Sequence, residues 1–258
     1  MKITSLLENT ASSEKVRNEH GLSLYIETGK HKILFDMGQT DLFYENALSL
    51  GIDLKNVDFA VLSHGHYDHG GGLKKFLEIN KTAPVYINEF AFEPHYNGTE
   101  KYIGLDVSLK DSDRIVFTED EFSISGNLKL FSCNRKDKKY NLGSFGLTCF
   151  ENGEFFPDSF RHEQYLLIEE SGKKLLISGC SHKGILDITD WFKPDVLIGG
   201  FHFSKLPLDD TLISYAKILG SHKTHFYTCH CTGVEQFNFM KEHMKKLSYL
   251  SCGDSILI

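Results

Sequence analysis

The sequence predicts an α/β protein in which two mixed β-sheets pack face to face and helices cover the outer surfaces. Three observations support this fold class. Apolar, strand-like segments alternate with amphipathic helical segments in both the first and the last third of the chain. Each of these thirds contains a pair of strands joined by a tight turn. No Pro- or Ser-rich linker and no internal repeat interrupts the 258 residues, so we expect one domain spanning 1–258.

The first third of the chain alternates between strand-like and helix-like spacing of its apolar residues. Its predicted elements are strands at 22–28 and 31–36, a helix at 41–50, a strand at 57–63 and a helix at 70–79. Between the thirds, residues 89–160 are rich in Gly, Asn, Lys and aromatic residues. We expect this middle segment to form loops that cover whatever lies between the two halves.

The last third repeats the alternation. Its predicted elements are strands at 163–170 and 173–178, a helix at 184–192, a strand at 195–200, a helix at 208–219, a strand at 225–229 and a helix at 234–247. The last two helices each carry apolar residues at a spacing of three and four, which buries one face. These stripes indicate core packing rather than a cofactor site.

Composition restricts the classes of partner. The net charge of −7 disfavours nucleic acid, because a phosphate backbone would be bound against the overall field. The N-terminus has no signal-peptide core, and no segment approaches the ~20 apolar residues of a membrane span. The six cysteines are scattered, which is typical of reduced thiols. We therefore expect a cytoplasmic protein without a membrane or nucleic-acid partner.

The run VLSHGHYDHGGG at 61–72 concentrates four potential metal ligands between a strand and a helix. Because alternate residues of an extended turn point the same way, His64 and His66 can converge on one ion. Asp68 and His69, at the start of the helix, can turn toward a second ion. The pattern suits two metals about 3.5 Å apart. Four side chains cannot complete two coordination spheres, so further ligands must come from elsewhere.

Three later strands each place a histidine directly after their C-terminal end. Cys180 and His182 follow the strand at 173–178, His202 follows 195–200 and His230 follows 225–229. The carboxyl ends of parallel strands are where α/β sites assemble. We therefore expect these side chains to complete the site begun at His64.

The H-x-H-x-D-H run, preceded by LFDMG, resembles the metallo-β-lactamase superfamily of metal-dependent hydrolases. Further motifs, EHGLS at 19–23, GCSH at 179–182, GGFH at 199–202 and HCTG at 230–233, resemble a subgroup named after an archaeal dihydropterin ribofuranosyl-aminobenzene-phosphate synthase. The resemblance covers nearly the whole chain. It implies an αββα sandwich, the metallo-β-lactamase fold, with a two-metal site at the edge between its sheets.

The resemblance also implies roles for individual residues. His64 and His66 would ligate the first metal, and Asp68, His69 and His230 the second. Most relatives carry an aspartate that bridges the metals at the position of Cys180, so that carboxylate is absent here. Two arrangements are open. Either His182 completes the first metal, with Cys180 as a thiolate ligand or a small buried residue, or His162 completes it and Cys180 replaces the aspartate. We favour His182, because its position at a strand end matches those of His202 and His230.

Other residues near the motifs have more than one interpretation. His202 is a candidate general acid for the leaving group, since histidine titrates near neutral pH. Asp36 is expected to orient a ligand histidine rather than to touch metal, and His20 lines the site by resemblance alone. Cys229 and Cys231 flank His230 and should point away from the site by alternation.

Two features of the middle segment bear on the class of substrate. The loop at 134–141 carries Arg135, Lys136, Lys138 and Lys139, which is either a contact for a substrate phosphate or a solvated loop. The aromatic residues Phe90, Phe92, Tyr96 and Tyr102 either stack on a flat ring or anchor loops.

The predicted function is that of a metallo-hydrolase. Two divalent ions held mostly by imidazoles, with zinc favoured and manganese or iron open, generate a metal-bound hydroxide at neutral pH. Asp68 would ligate and orient that hydroxide, which would cleave an ester, lactone or phosphoester bond in a small, phosphorylated or unphosphorylated substrate. The alternatives are a non-catalytic or sensory protein that binds a small molecule, and a pterin-pathway synthase-like enzyme.

Overall fold

The computed structural model describes residues 1–258 and contains eighteen strands and six α-helices. In chain order the strands are β1 (Lys2–Leu7), β2 (Ser23–Glu27), β3 (Lys32–Phe35), β4 (Phe59–Val61), β5 (Val85–Asn88), β6 (His95–Asn97), β7 (Lys101–Tyr102), β8 (Ile115–Thr118), β9 (Glu121–Ser125), β10 (Leu128–Phe131), β11 (Leu147–Glu151), β12 (Glu154–Pro157), β13 (Tyr165–Glu170), β14 (Lys173–Ile177), β15 (Val196–Gly199), β16 (His225–Thr228), β17 (Leu247–Tyr249) and β18 (Ser255–Leu257). The helices are α1 (Leu42–Ser49), α2 (Tyr67–Gly70), α3 (Leu73–Ile79), α4 (Ile185–Phe192), α5 (Asp210–Gly220) and α6 (Val234–Lys241). None of these helices has the length and apolar character needed to span a membrane.

Two seven-stranded mixed sheets form the body of the protein. The first has the order β18-β1-β2-β3-β4-β5-β8 and the second has the order β17-β16-β15-β14-β13-β10-β9. In each sheet, antiparallel pairs lead to a run of parallel strands. These runs are β3-β4-β5-β8 in the first sheet and β14-β15-β16-β17 in the second. The loops that leave the parallel strands therefore collect at one edge of each sheet.

Alternation along the strands divides the core into three layers. Phe35 of β3 and Ile177 of β14 lie in the cluster between the two sheets. The adjacent Leu34 points the other way and packs with Phe43 of α1. On the opposite outer face, α4, α5 and α6 pack against residues of the second sheet such as Leu197. This αββα arrangement confirms the fold class expected from the sequence.

Several elements differ from those that the sequence predicts. The helix expected at 70–79 begins only at Leu73, as α3, and the short helix α2 precedes it, with Gly71 and Gly72 between the two. The helix expected at 234–247 ends at Lys241, and Leu247 belongs to β17 instead. The strands β1, β5, β17 and β18 have no counterpart among the predicted elements.

The middle segment 89–160 is more regular than expected, since it contains seven strands, β6 to β12. Strand β8 extends the first sheet, while β9 and β10 extend the second. The remaining four form a separate sheet with the order β12-β11-β6-β7. Asn97, Lys101 and Ile103, in and beside this small sheet, line the cavity described below. The segment thus reaches the site mainly as a sheet rather than as loops.

The split between α2 and α3 depends on a close approach of backbone to backbone. A Cβ atom at Gly71 would overlap the carbonyl oxygen of Gln39, and it would lie 2.6 Å from that of Tyr67. We expect Gly71→Ala to lower the free energy of unfolding by about 1–3 kcal/mol, measured by urea denaturation. Gly126→Ala is the matched control, because no atom lies within 4 Å of the added methyl group. Equal stabilities of the two variants would contradict this explanation.

Candidate metal centre

The structure brings the residues predicted as metal ligands, together with the predicted general acid His202, to the edge between the two sheets. These residues follow four strand ends: His64, His66, Asp68 and His69 after β4, Cys180 and His182 after β14, His202 after β15, and His230 after β16. All except His202 are buried. Their placement follows from parallel strands whose carboxyl ends share one edge of each sheet.

Asp36 fixes the orientation of the first motif. One of its carboxylate oxygens accepts the Ser63 backbone N–H at 2.7 Å, and the other accepts the Ser63 hydroxyl at 2.7 Å. The second oxygen also lies 2.6 Å from His69 Nδ1. An ionised carboxylate only accepts hydrogen bonds, so His69 carries a proton on Nδ1. Its Nε2 then faces the site.

Hydrogen-bond partners also assign the tautomers of two further histidines. Because the Ser63 hydroxyl donates to Asp36, it accepts from His64 Nδ1 at 2.8 Å. His230 Nδ1 lies 2.8 Å from Asn9 Oδ1 and donates to that oxygen. In both rings the lone pair is therefore on Nε2. A histidine whose Nδ1–H is bound in this way is the usual form of a metal ligand.

One group of donor atoms has the spacing of a coordination sphere. His69 Nε2 lies 3.2 Å from His230 Nε2 and 3.2 Å from Cys180 Sγ, and Asp68 Oδ2 lies 3.4 Å from His230 Nε2. Zinc–nitrogen bonds of about 2.0–2.1 Å in a tetrahedron separate two nitrogens by about 3.3 Å. Burial opposes a charge on His69, but Asp36 and Asp68 outweigh it and raise the pKa of His69 to about 9. The site thus accommodates positive charge.

A second group lies beside the first. His64, His66 and His182 each offer a nitrogen within 4.8 Å of the others. Nε2 of His64, Nε2 of His66 and both ring nitrogens of His182 are buried without a hydrogen-bond partner. Burial, followed by neighbouring groups, holds the pKa of each ring well below its usual value, so the rings are neutral. Unpaired buried nitrogens are costly, and a bound cation would satisfy them.

His162 lies close to this group but has a different tautomer. Its Nδ1 accepts the backbone N–H of Gly65 at 2.9 Å, so the ring proton is on Nε2, which faces Asp158 Oδ2 at 3.4 Å. Burial, and then the neighbouring His95, lower the pKa of His162 to about 4, so the ring carries only that one proton. A protonated nitrogen cannot bind metal. This geometry favours His182 as the third donor of the first ion, and it shows that His162 is not a surface residue.

Cys231 occupies a different place from the one predicted by alternation. His230 has a positive φ of 48° in a short 3₁₀ turn, so the backbone is not extended there. As a result, both His230 and Cys231 face the site, whereas Cys229 packs in the core between the sheets. Asn9, which orients His230, also lay outside the sequence prediction. It follows the unpredicted strand β1, and no motif marks it.

A cavity of about 180 Å³ opens onto the candidate metal centre. Its walls include His20, whose Nε2 lies 3.1 Å from Asp68 Oδ2, and His202, whose ring centroid lies 4.3 Å from that of His182. Two lysines, Lys101 and Lys205, also line this cavity.

The loop at 134–141 does not line this cavity. Lys139 lies in a separate groove and pairs with Asp190 at 3.8 Å, which favours the solvated-loop interpretation. Among the aromatic candidates, Phe92 packs in the outer core, while Tyr96 and Tyr102 pack edge to face at 5.3 Å in the small sheet. These aromatic residues therefore anchor structure.

Residues 16–220 match the family model of the metallo-beta-lactamase superfamily. The chain belongs to this superfamily. It is 31% identical, over 99% of its length and 96% of the relative, to 7,8-dihydropterin-6-methyl-4-(beta-D-ribofuranosyl)-aminobenzene-5'-phosphate synthase of Methanocaldococcus jannaschii. It is 29% identical to an uncharacterized protein of the same organism, covering 95% of this chain and 98% of the relative.

Solved structures of the superfamily share the fold. Tm1679, described as a metal-dependent hydrolase of the beta-lactamase superfamily, superposes with a TM-score of 0.84 at 30% identity, covering 100% of this chain and 99% of Tm1679. YhfI from Bacillus subtilis has a TM-score of 0.61 at 13% identity, covering 99% of this chain and 98% of YhfI. At that identity it supports the fold alone. The resemblance noted in the sequence motifs is therefore confirmed.

Asp36 provides a test of the candidate metal centre, because it fixes the tautomer of His69. Asp36→Asn keeps the side-chain shape but weakens the hydrogen bond that fixes Nδ1–H on His69. We expect the zinc affinity of the candidate site that contains His69 to fall about 10–100-fold, measured by competition with a chromophoric chelator. Asp58→Asn, an exposed carboxylate distant from the site, is the control. Unchanged zinc affinity in Asp36→Asn would contradict the proposed role of Asp36 in orienting His69.

Proposed function

We propose that this protein is a metal-dependent hydrolase that cleaves an ester, lactone or phosphoester bond in a small molecule. The convergence of buried histidine nitrogens in two neighbouring groups beside an open cavity is the observation that carries this proposal. Membership of a superfamily that contains metal-dependent hydrolases supports it. The six cysteines are all free thiols, which supports a reducing compartment, and we infer the cytoplasm.

The residues fit two divalent ions. His64, His66 and His182 would hold the first, and Asp68, His69, Cys180 and His230 the second. Imidazole and thiolate donors suit zinc, whereas manganese prefers oxygen ligands. Such ions, when bound, lower the pKa of a water molecule toward 7 and polarise the bond to be cleaved.

Two side chains of the cavity then act on the reacting groups. Burial opposes the charge on Asp68, but His69, His20 and His230 outweigh it and hold the pKa of Asp68 well below its usual value. The ionised carboxylate can accept a hydrogen bond from the attacking water and so orient it. His202 lines the same cavity, and we assign it the role of donating a proton to the leaving group.

The two lysines indicate the class of substrate. Lys101, whose Nζ lies 3.5 Å from the Tyr67 hydroxyl, comes from the small sheet, and Lys205 comes from the segment after His202. Neither amine pairs with a carboxylate in the structure. Charge-assisted hydrogen bonds from lysine suit phosphate oxygens. We infer that the substrate carries a phosphate or a comparable anion.

The synthase relative supports a second candidate function. Its name describes a product that carries a 5'-phosphate, and 96% of its length aligns with this chain. The same cavity could then transfer a group to an acceptor other than water. Adding aromatic amines to the hydrolysis reaction separates the two functions, because only a synthase-like enzyme would form an adduct. A sensory protein would bind phosphorylated ligands without turnover of either kind.

The general-acid role of His202 gives a kinetic prediction. Its Nδ1 is buried without a hydrogen-bond partner, and neither of the two proposed ligand sets includes His202. We expect His202→Ala to bind both ions and to lose about 10²–10⁴-fold in kcat, most strongly for substrates with poor leaving groups. His66→Ala is the comparison and should lose the first ion together with activity. Full turnover in metal-loaded His202→Ala would disprove the role.

The lysine pair gives a prediction about substrate class. In a screen of phosphomonoesters, phosphodiesters and lactones, we expect Lys101→Ala and Lys205→Ala each to raise KM for phosphorylated substrates about 10–100-fold. KM for uncharged lactones should stay unchanged, because they offer no anion. Lys139→Ala, in the separate groove, is the control lysine. Equal effects on charged and uncharged substrates would argue against an anion-binding role.

A further inference from the structure

Two cysteines from distant parts of the chain meet at the second group of donor atoms. Cys180 follows β14 and Cys231 follows β16, and both are buried. Their sulfur atoms and one nitrogen of His230 all lie within 4.8 Å of one another. The cavity that opens onto the metal centre is lined by both thiols. The ion held by His69 and His230 would therefore lie next to two sulfur atoms rather than one.

The backbone around Cys231 is shaped to make room for its side chain. A Cβ atom at Gly200 would overlap Cys231 Sγ, so only glycine fits on that side. The positive φ of His230 directs this residue and Cys231 into the same space. The Cys231 thiol donates to the Cys180 carbonyl oxygen at 3.6 Å, which is a long contact, and its sulfur also lies within hydrogen-bonding range of the Cys180 thiol and of His202. All of these partners line the cavity, so the thiol is directed into the site.

We propose that Cys231 is a further ligand of the second ion, which would then be held by a thiolate pair together with His69, His230 and Asp68. This inference rests on the metal centre of the proposed function but not on the identity of the substrate. Each metal–sulfur bond forms as a thiol gives its proton to solvent, so no oxidant or reductant takes part.

A thiolate pair changes which ion the position selects. Thiolate ligands favour zinc and cadmium, whereas magnesium and manganese prefer oxygen ligands. Two thiolates and Asp68 also place three negative charges around a doubly charged ion. The additional negative charge and the softer donors would make the second position bind zinc or cadmium more tightly than the first.

Substitution by cobalt(II) tests the proposal, because each cobalt–thiolate bond adds to a charge-transfer absorption in the near ultraviolet. We expect the cobalt-loaded protein to lose about half of this band in Cys231→Ser and about half in Cys180→Ser, and to lose it completely in the double variant. Cys229→Ser is the matched control. The Cys229 thiol packs in the core, so its replacement should leave the band unchanged. A full band in folded Cys231→Ser would overturn the proposal.

X-ray absorption of the unmutated zinc protein tests the proposal without a variant. With two zinc ions bound per chain, we expect an average of about one sulfur neighbour per zinc at about 2.3 Å. An average of about half a sulfur would leave only one thiolate ligand and reject the thiolate pair. A hydrolase with a single sulfur ligand would refute this inference and keep the proposed function. A protein with both sulfur ligands and no turnover of any substrate would support this inference and contradict the proposed function.

Discussion

The carboxylate of Asp36 holds the first half of the metal centre in place. Asp36 directly follows β3 and has a positive φ of 59°, a conformation that few residues other than glycine adopt. From there its two oxygens bind the backbone and hydroxyl of Ser63 and the ring of His69. Three neighbouring segments are thereby locked to one another. The lone pairs of His64 and His69 take their directions from this one side chain, through Ser63 to His64 and directly to His69.

The second half of the site depends on repetition of a simple arrangement. Three parallel strands, β14, β15 and β16, end at the same edge, and each is followed by a turn that carries a histidine of the site. His202 and His230 both have positive φ angles in these turns. The sandwich thus forms the site because its two sheets present their carboxyl ends to a shared space. The small third sheet then supplies one wall of the cavity above it.

Much of this could be predicted from the sequence, because strongly apolar strands and clustered ligands leave clear patterns. The H-x-H-x-D-H run and the strand-end motifs identified every residue of the proposed ligand sets except Cys231, but not His95 and Asp158, which form a further group of possible donors with His66 and His162. Cys231 was misjudged because alternation assumes an extended backbone, and a 3₁₀ turn replaces it. The middle segment was misjudged because its strands are short and their exposed faces are polar, so they resemble loops. Lys101 and Lys205 carry no local signal, since a position at a cavity wall depends on contacts between distant segments.

The contact between the segment after β1 and the last motif has a consequence for assembly of the site. Buried Glu8 accepts the backbone N–H of His230 at 3.0 Å, and Asn9 Oδ1 accepts from the His230 ring, 221 positions later in the chain. The position of this histidine therefore depends on contacts between the two halves of the chain. A folding intermediate in which only the first sheet has formed would expose the four side chains of the first motif but lack the partners that close either proposed sphere. Tight binding of both ions would therefore require the two halves to have docked.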